Sequence, residues 1–190
     1  MNIIGNVENG PVIIQPKLFT DERGYFFESF NNDEFKEKVA DVTFVQDNES
    51  KSSYGVLRGM HYQTGDAAQA KLVRVVKGEV LDVVVDCRAS LPTFGARYYA
   101  FLSEENKRQF FIPRGFAHGF LTLRDNTIFQ YKCDNLYNKE KEGGFAWNSF
   151  DFQWGTFIDL NNIILSEKDS VRQNFKDIDF NNLFNYGGEA

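Results

Sequence analysis

Lys71-Leu72-Val73-Arg74-Val75-Val76-Lys77-Gly78-Glu79-Val80-Leu81-Asp82-Val83-Val84-Val85-Asp86 is the stretch from which the fold is read. β-branched residues dominate both halves, and Lys77-Gly78 between them spells a two-residue turn, so two strands joined as a hairpin are predicted. Alternation in the first strand puts Lys71, Val73 and Val75 on one face and Leu72, Arg74 and Val76 on the other. A lysine that shares an apolar face is either a charge pointing inward or an edge residue whose stem snorkels out to water.

Outward from this centre, Tyr98–Leu102, Gln109–Ile112, Gly119–Leu123 and Thr127–Cys133 also read as strands, punctuated by Gly and Asn/Asp clusters at short intervals. Helical signal is thin. Asn31 or Asn32 can cap a short helix over Asp33–Val39, with Phe35 and Val39 at i,i+4, and a second short helix can start near Ser166. Many short strands with few helices predict a mainly β protein: an antiparallel β-sandwich or jelly roll, a cupin-like barrel able to hold one small ligand. No linker, repeat or low-complexity segment interrupts the 190 residues, so a single domain over 1–190 is expected.

Composition narrows the function. The net charge of −6 argues against a nucleic-acid binder but leaves room for an anionic small ligand on a few local Arg and Lys side chains. No apolar run approaches membrane-spanning length and no signal-like N-terminus is seen, so a cytoplasmic protein without a membrane partner is expected. Cys87 and Cys133 are isolated, which suggests neither a disulfide framework nor a metal knuckle. The aromatic complement of 20 Phe, 8 Tyr and 2 Trp can fill a core or wall a flat-ligand site.

Only two histidines occur, each in a glycine-bearing, aromatic phrase: Arg58-Gly59-Met60-His61-Tyr62-Gln63 and Pro113-Arg114-Gly115-Phe116-Ala117-His118-Gly119-Phe120. Histidine is the side chain most easily tuned to exchange protons near neutral pH. One buried structural histidine and one surface histidine would be the plainer reading. Further polar phrases are Asp21-Glu22-Arg23-Gly24-Tyr25-Phe26-Phe27-Glu28, Val45-Gln46-Asp47-Asn48, Gln69-Ala70-Lys71-Leu72-Val73, Phe129-Gln130-Tyr131-Lys132-Cys133 and Leu165-Ser166-Glu167-Lys168-Asp169. Taken alone, Ser166-x-x-Asp169 is first of all a helix capping box.

In their order and spacing, from about Val12 to Asp169, these phrases resemble the dTDP-4-dehydrorhamnose 3,5-epimerase family of nucleotide-sugar enzymes. Val83-Val84-Val85-Asp86-Cys87-Arg88 and Pro92-Thr93-Phe94-Gly95 add to the resemblance. It implies inversion of C3 and C5 of dTDP-4-dehydro-6-deoxy-D-glucose to give dTDP-4-dehydro-L-rhamnose. That chemistry needs a base on one face of the sugar, an acid on the other, and donors to the ketone oxygen. The resemblance implies His61 as base with Asp169 as its partner, Tyr131 as the opposite-face acid, and Lys71 and His118 around the carbonyl. It also implies ligand contacts from Arg23, Arg58 and Lys168 to the diphosphate, and from Glu28, Gln46, Asp47, Asn48 and Glu142 to the base, deoxyribose or sugar. Tyr25, Phe26, Phe27 and Tyr137 are candidates to stack or wall the ligand. No cofactor and no metal are expected: the two histidines form no His-x-His pair, and the family is metal-independent. A homodimer is implied, with Arg23 and the following phenylalanines reaching the partner's site. The alternatives are an epimerase acting at C3 only or C5 only, a cupin isomerase moving the ketone between C3 and C4, and a non-catalytic sugar-nucleotide-binding cupin.

Overall fold

The computed structural model describes residues 1–184; residues 185–190, the end of the predicted domain, lie outside the described residues. The first half of the chain forms β1 (Asn2–Asn6), β2 (Val12–Gln15), β3 (Phe19–Asp21), β4 (Gly24–Phe26), helix α1 (Asn32–Lys38), β5 (Gln46–Ser52), β6 (Leu57–Gln63) and β7 (Lys71–Lys77). Then come β8 (Glu79–Asp86), β9 (Arg97–Ser103), β10 (Gln109–Ile112), β11 (Phe116–Thr122), β12 (Thr127–Cys133), β13 (Glu142–Gly144) and helix α2 (Glu167–Ser170). A six-stranded sheet runs β1-β2-β10-β7-β12-β5 and a five-stranded sheet β13-β6-β11-β8-β9, while β3 and β4 form a separate hairpin. Every ladder is antiparallel. The predicted mainly β sandwich is therefore observed.

The hairpin expected around Lys77-Gly78 is not. β7 pairs with β10 and β12 in one sheet, whereas β8 pairs with β9 and β11 in the other. The chain crosses between sheets at Gly78, whose φ of +81° suits glycine. A Cβ there would lie 2.2 Å from Thr127 Oγ1. A turn signal shows where the chain reverses; it does not say which sheet receives the next strand.

The two strands also differ in burial for a physical reason. In β7, Val73 and Val75 face the inter-sheet core while Val76 reaches solvent. In β8, both faces are covered: Val80 and Val84 join Phe110, Phe116, Phe120 and Phe129 between the sheets, while Leu81, Val83 and Val85 pack under Phe145, Trp154 and Phe180. A strand covered on both sides reads as an unbroken apolar run rather than an alternation. The phenylalanines thus form a third layer, built by the C-terminal segment over the outer face of the smaller sheet. The larger sheet is covered in part by α1, where Phe35 is fully buried among Phe30, Phe44 and Phe111.

Helix α1 is capped by Asn31, whose side chain accepts from the Asp33 and Glu34 N–H groups. Helix α2 is capped by Ser166, which accepts from the Asp169 N–H. β11 begins at Phe116, three residues before the predicted Gly119, because Gly119 lies inside the strand. A side chain at Gly119 would meet the β6 backbone at Arg58. The strands with no apolar alternation, β5 above all, carried no sequence signal: Gln46-Asp47-Asn48-Glu49-Ser50-Lys51-Ser52 is polar throughout.

Candidate active site

The site is built from the inward-facing side chains of both sheets at one end of the sandwich. On β6 and β11, cross-strand register sets His61 opposite His118. On β7 and β12 it sets Lys71 opposite Cys133 and Val73 opposite Tyr131. The two sheets thus present His61 and His118 from one wall, Lys71 and Tyr131 from the other. The Lys71 Nζ lies 5.9 Å from the centre of the Tyr131 ring. Lys71 is the inward-pointing charge of the two readings that the alternation allowed.

A cleft runs between the walls in two lobes of about 340 and 290 Å³, which share His61, Lys71, Tyr131 and Glu142. Gln46, Asn48 and Tyr137 line the first lobe; Arg58, His118, Lys168 and Asp169 line the second. Most of the expected residues are brought together. Arg23 and Glu28 are not: they lie outside both lobes, and Arg23, 84% exposed, pairs with Asp21 at 2.6 Å on the β3–β4 hairpin. Asp47 requires a correction. Strand alternation turns its side chain to the opposite face of β5 from Gln46 and Asn48, where it pairs with Lys132 at 2.9 Å. Its carboxylate does not enter the cleft.

His61 Nε2 and Asp169 Oδ1 are 2.5 Å apart, and the Asp169 side chain is only 5% exposed. Burial pushes the Asp169 carboxyl up, but hydrogen bonds from His61 and Ser166 outweigh it and hold the group below its ordinary value. Asp169 meets half of the capping-box reading: its N–H is capped by the Ser166 hydroxyl, while its carboxylate holds His61.

A second pair was not anticipated. His118 Nε2 meets Asp82 Oδ2 at 2.9 Å, with both side chains buried. Burial moves the two in opposite senses, His118 down and Asp82 up, each against the pull of its partner. Among the described residues, Asp82 Oδ1 has no hydrogen-bond partner. The signal for Asp82 was a lone carboxylate at the parity of Val80 and Val84, obscured because the whole strand is apolar on both faces.

Burial also lowers the Lys71 ammonium and raises the Tyr131 phenol. Arg58 pulls the phenol down, but burial wins and it stays protonated more firmly. Glu142 is the hub of the rim. It accepts from Tyr137 Oη at 2.6 Å, Lys168 Nζ at 2.6 Å and Arg172 Nη2 at 2.8 Å. Burial opposes its ionisation, yet these donors bring its carboxyl down to about 2. Arg172 and the Ser50 hydroxyl, which lines the second lobe without a hydrogen-bond partner among the described residues, were also missed by sequence reasoning. Neither sits in a motif. Among the described residues, no group of three or more His, Cys, Asp and Glu side chains is placed to hold a metal ion.

Comparison with known proteins gives the same direction. Residues 8–177 match the family model for dTDP-4-dehydrorhamnose 3,5-epimerase. A dTDP-4-dehydrorhamnose 3,5-epimerase of Shigella flexneri is 51% identical over 183 residues, covering 95% of this chain and 99% of the relative. The crystal structure of the Elizabethkingia anophelis enzyme of that name superposes with a TM-score of 0.86 at 50% identity, covering 93% of this chain and 97% of that one. The dTDP-6-deoxy-D-glucose-3,5-epimerase of Legionella pneumophila, solved with dTDP-4-keto-L-rhamnose, gives a TM-score of 0.89 at 42% identity, covering 98% and 99%. With the sandwich, the two-walled cleft and this similarity in hand, the chain belongs to the dTDP-4-dehydrorhamnose 3,5-epimerase family.

Proposed function

We propose that this protein inverts C3 and C5 of dTDP-4-dehydro-6-deoxy-D-glucose, giving dTDP-4-dehydro-L-rhamnose, with residues from opposite sheets working on opposite faces of the sugar. The observation that carries this reading is the opposition of the His61–Asp169 pair on one wall to Tyr131 and Lys71 on the other. Family membership and the keto-rhamnose nucleotide bound to the Legionella relative support the substrate class.

In this reading His61 takes the proton α to the C4 ketone, and the electron pair of the broken C–H bond passes to O4 as an enolate. Asp169 stabilises the imidazolium that forms. Lys71 and His118 stabilise the developing oxyanion. Because His118 Nε2 is committed to Asp82, its Nδ1 is the nitrogen left for the sugar, and it donates to the oxyanion when the His118–Asp82 pair holds a proton, as imidazolium or with Asp82 protonated. Tyr131 then gives its phenolic proton to the opposite face of the carbon, which restores the ketone with inverted configuration. A phenol whose pKa is raised by burial is suited to arriving protonated. Once His61 has released its proton to solvent and Tyr131 has regained one from it, the same sequence at the second α carbon completes the reaction.

Arg58 and Lys168, which line one lobe, are suited to the diphosphate, and the exposed Tyr137 ring to the nucleoside. Arg23 and Glu28 fit a different geometry. The exposed β3–β4 hairpin, with Phe19, Tyr25 and Phe26 open to solvent, suits an arm that completes the site of a second copy in a homodimer. One domain spanning the chain and a cytoplasmic setting complete the proposal; two free, buried thiols agree with a reducing compartment. No helix among the described residues is long and apolar enough to cross a membrane.

The test is proton exchange in D₂O with the 4-keto-6-deoxyglucose nucleotide, followed by NMR at C3 and C5. Deuterium at both carbons is expected; entry at one carbon makes the protein a single-site epimerase, and none at either overturns the enzyme. Tyr131→Phe is expected to slow epimerisation more than exchange. Equal loss of both would remove Tyr131 as the acid.

A further inference from the structure

Arg172 ties together two acids that belong to different elements. It follows α2 by one turn from Asp169; Nη2 is 2.8 Å from Glu142 Oε1 and Nε is 3.8 Å from Asp169 Oδ1. The side chain is 14% exposed and packs on Gly144, where a Cβ would lie 3.1 Å from Cζ. Its Nε is buried without a hydrogen-bond partner among the described residues. A guanidinium is not held this way for solubility, and Arg172 lines neither lobe of the cleft.

We propose that Arg172 is a positioning residue for the epimerisation: it shares the charge of Asp169, anchors Glu142, and thereby sets the proton affinity of the His61–Asp169 pair. This rests on His61 being the base. A cation this close favours the ionised carboxylate and opposes any proton added to the pair, so its removal raises the affinity of the pair for a proton. Other groups also face the pair: Arg58 from β6, Lys71 from β7, Glu142 from β13, Lys168 from α2, and the Asp82–His118 pair from β8 and β11. Tyr131 and Tyr137 border the same space as neutral phenols. A substitution at position 172 keeps every one of these residues and takes a direct partner from Glu142 and Asp169 alone, so the change it causes reports on Arg172 and on the Glu142 that it anchors.

The experiment is ¹H NMR titration of the imidazole Cε1 protons in the ligand-free protein. Two histidines give two signals, assigned with His61→Asn. Arg172→Met is expected to raise the His61 midpoint by roughly one unit, with Arg172→Lys staying near the parent protein. An unmoved His61 midpoint in folded Arg172→Met overturns the proposal, as does an Arg172→Lys shift equal to that of Arg172→Met. Should Arg172→Met not fold, Arg172→Gln keeps an amide donor for Glu142 without the charge and has the same two outcomes. The acid limb of kcat/KM separates this inference from its parent. A midpoint that moves while the limb stays fixed removes His61 as the base, whereas a fixed midpoint removes the coupling itself.

Discussion

Asp169 has to be ionised while almost fully buried, and it manages this only because the donors around it outweigh desolvation. Asp169→Asn keeps the shape but cannot stabilise an imidazolium. Exchange of the substrate α protons is therefore expected to fall ~10²–10⁴-fold with the fold intact, measured as the initial rate of deuterium uptake. A loss smaller than about tenfold would remove Asp169 from the mechanism. Glu142 gives a pH prediction. Its folded-state carboxyl lies near 2 against an ordinary value of 4.5, so its contribution to stability is present above 4.5 and is lost as pH falls towards 2. Glu142→Gln lacks that titration. Its melting temperature is expected to fall less than the parent's between pH 5 and pH 3, as calorimetry at the two values would show. An identical acid loss in both proteins contradicts the assignment.

At the scale of elements, the crossover at Gly78 does what a hairpin turn could not, passing the chain from the larger sheet to the smaller. Positive φ and the close approach of Thr127 both select glycine there. Gly78→Ala is expected to cost about 1–3 kcal/mol in urea denaturation, with kcat of the remaining folded protein little changed because the crossover is at the far end of β7 from Lys71. A neutral result would mean that the backbone relaxes there. The same crossover explains how alternation in β7 was legible while β8 was not. One strand has a wet face; the other is covered on both sides by layers built from distant parts of the chain.

For the whole molecule, the proposed homodimer makes a prediction about Arg23 on the exposed β3–β4 hairpin. If the β3–β4 arm works in a partner's site, Arg23→Ala and His61→Asn each inactivate, but mixing the two after subunit exchange restores activity in one site of each mixed dimer. Light scattering reports whether the dimer forms, and the mixing assay reports whether the arm acts across it. A mixture as inactive as its components places Arg23 in its own chain's site or in none.

Much of this protein was legible in its order of residues. β-branched runs and glycine punctuation predicted the sandwich, and the two histidine phrases with Lys71, Tyr131 and Asp169 carried the family and the residues that line the cleft. Those signals are local, set by alternation, turn chemistry and motif spacing, so a linear reading can hold them. Three things were settled only by tertiary packing. β7 and β8 separate into different sheets, Asp82 comes to His118 across two strands, and Arg172 comes to Glu142 across two elements. Each depends on which residues far apart in the chain are buried against each other. Only the folded register decides that, because burial is what forces a charge to find its partner.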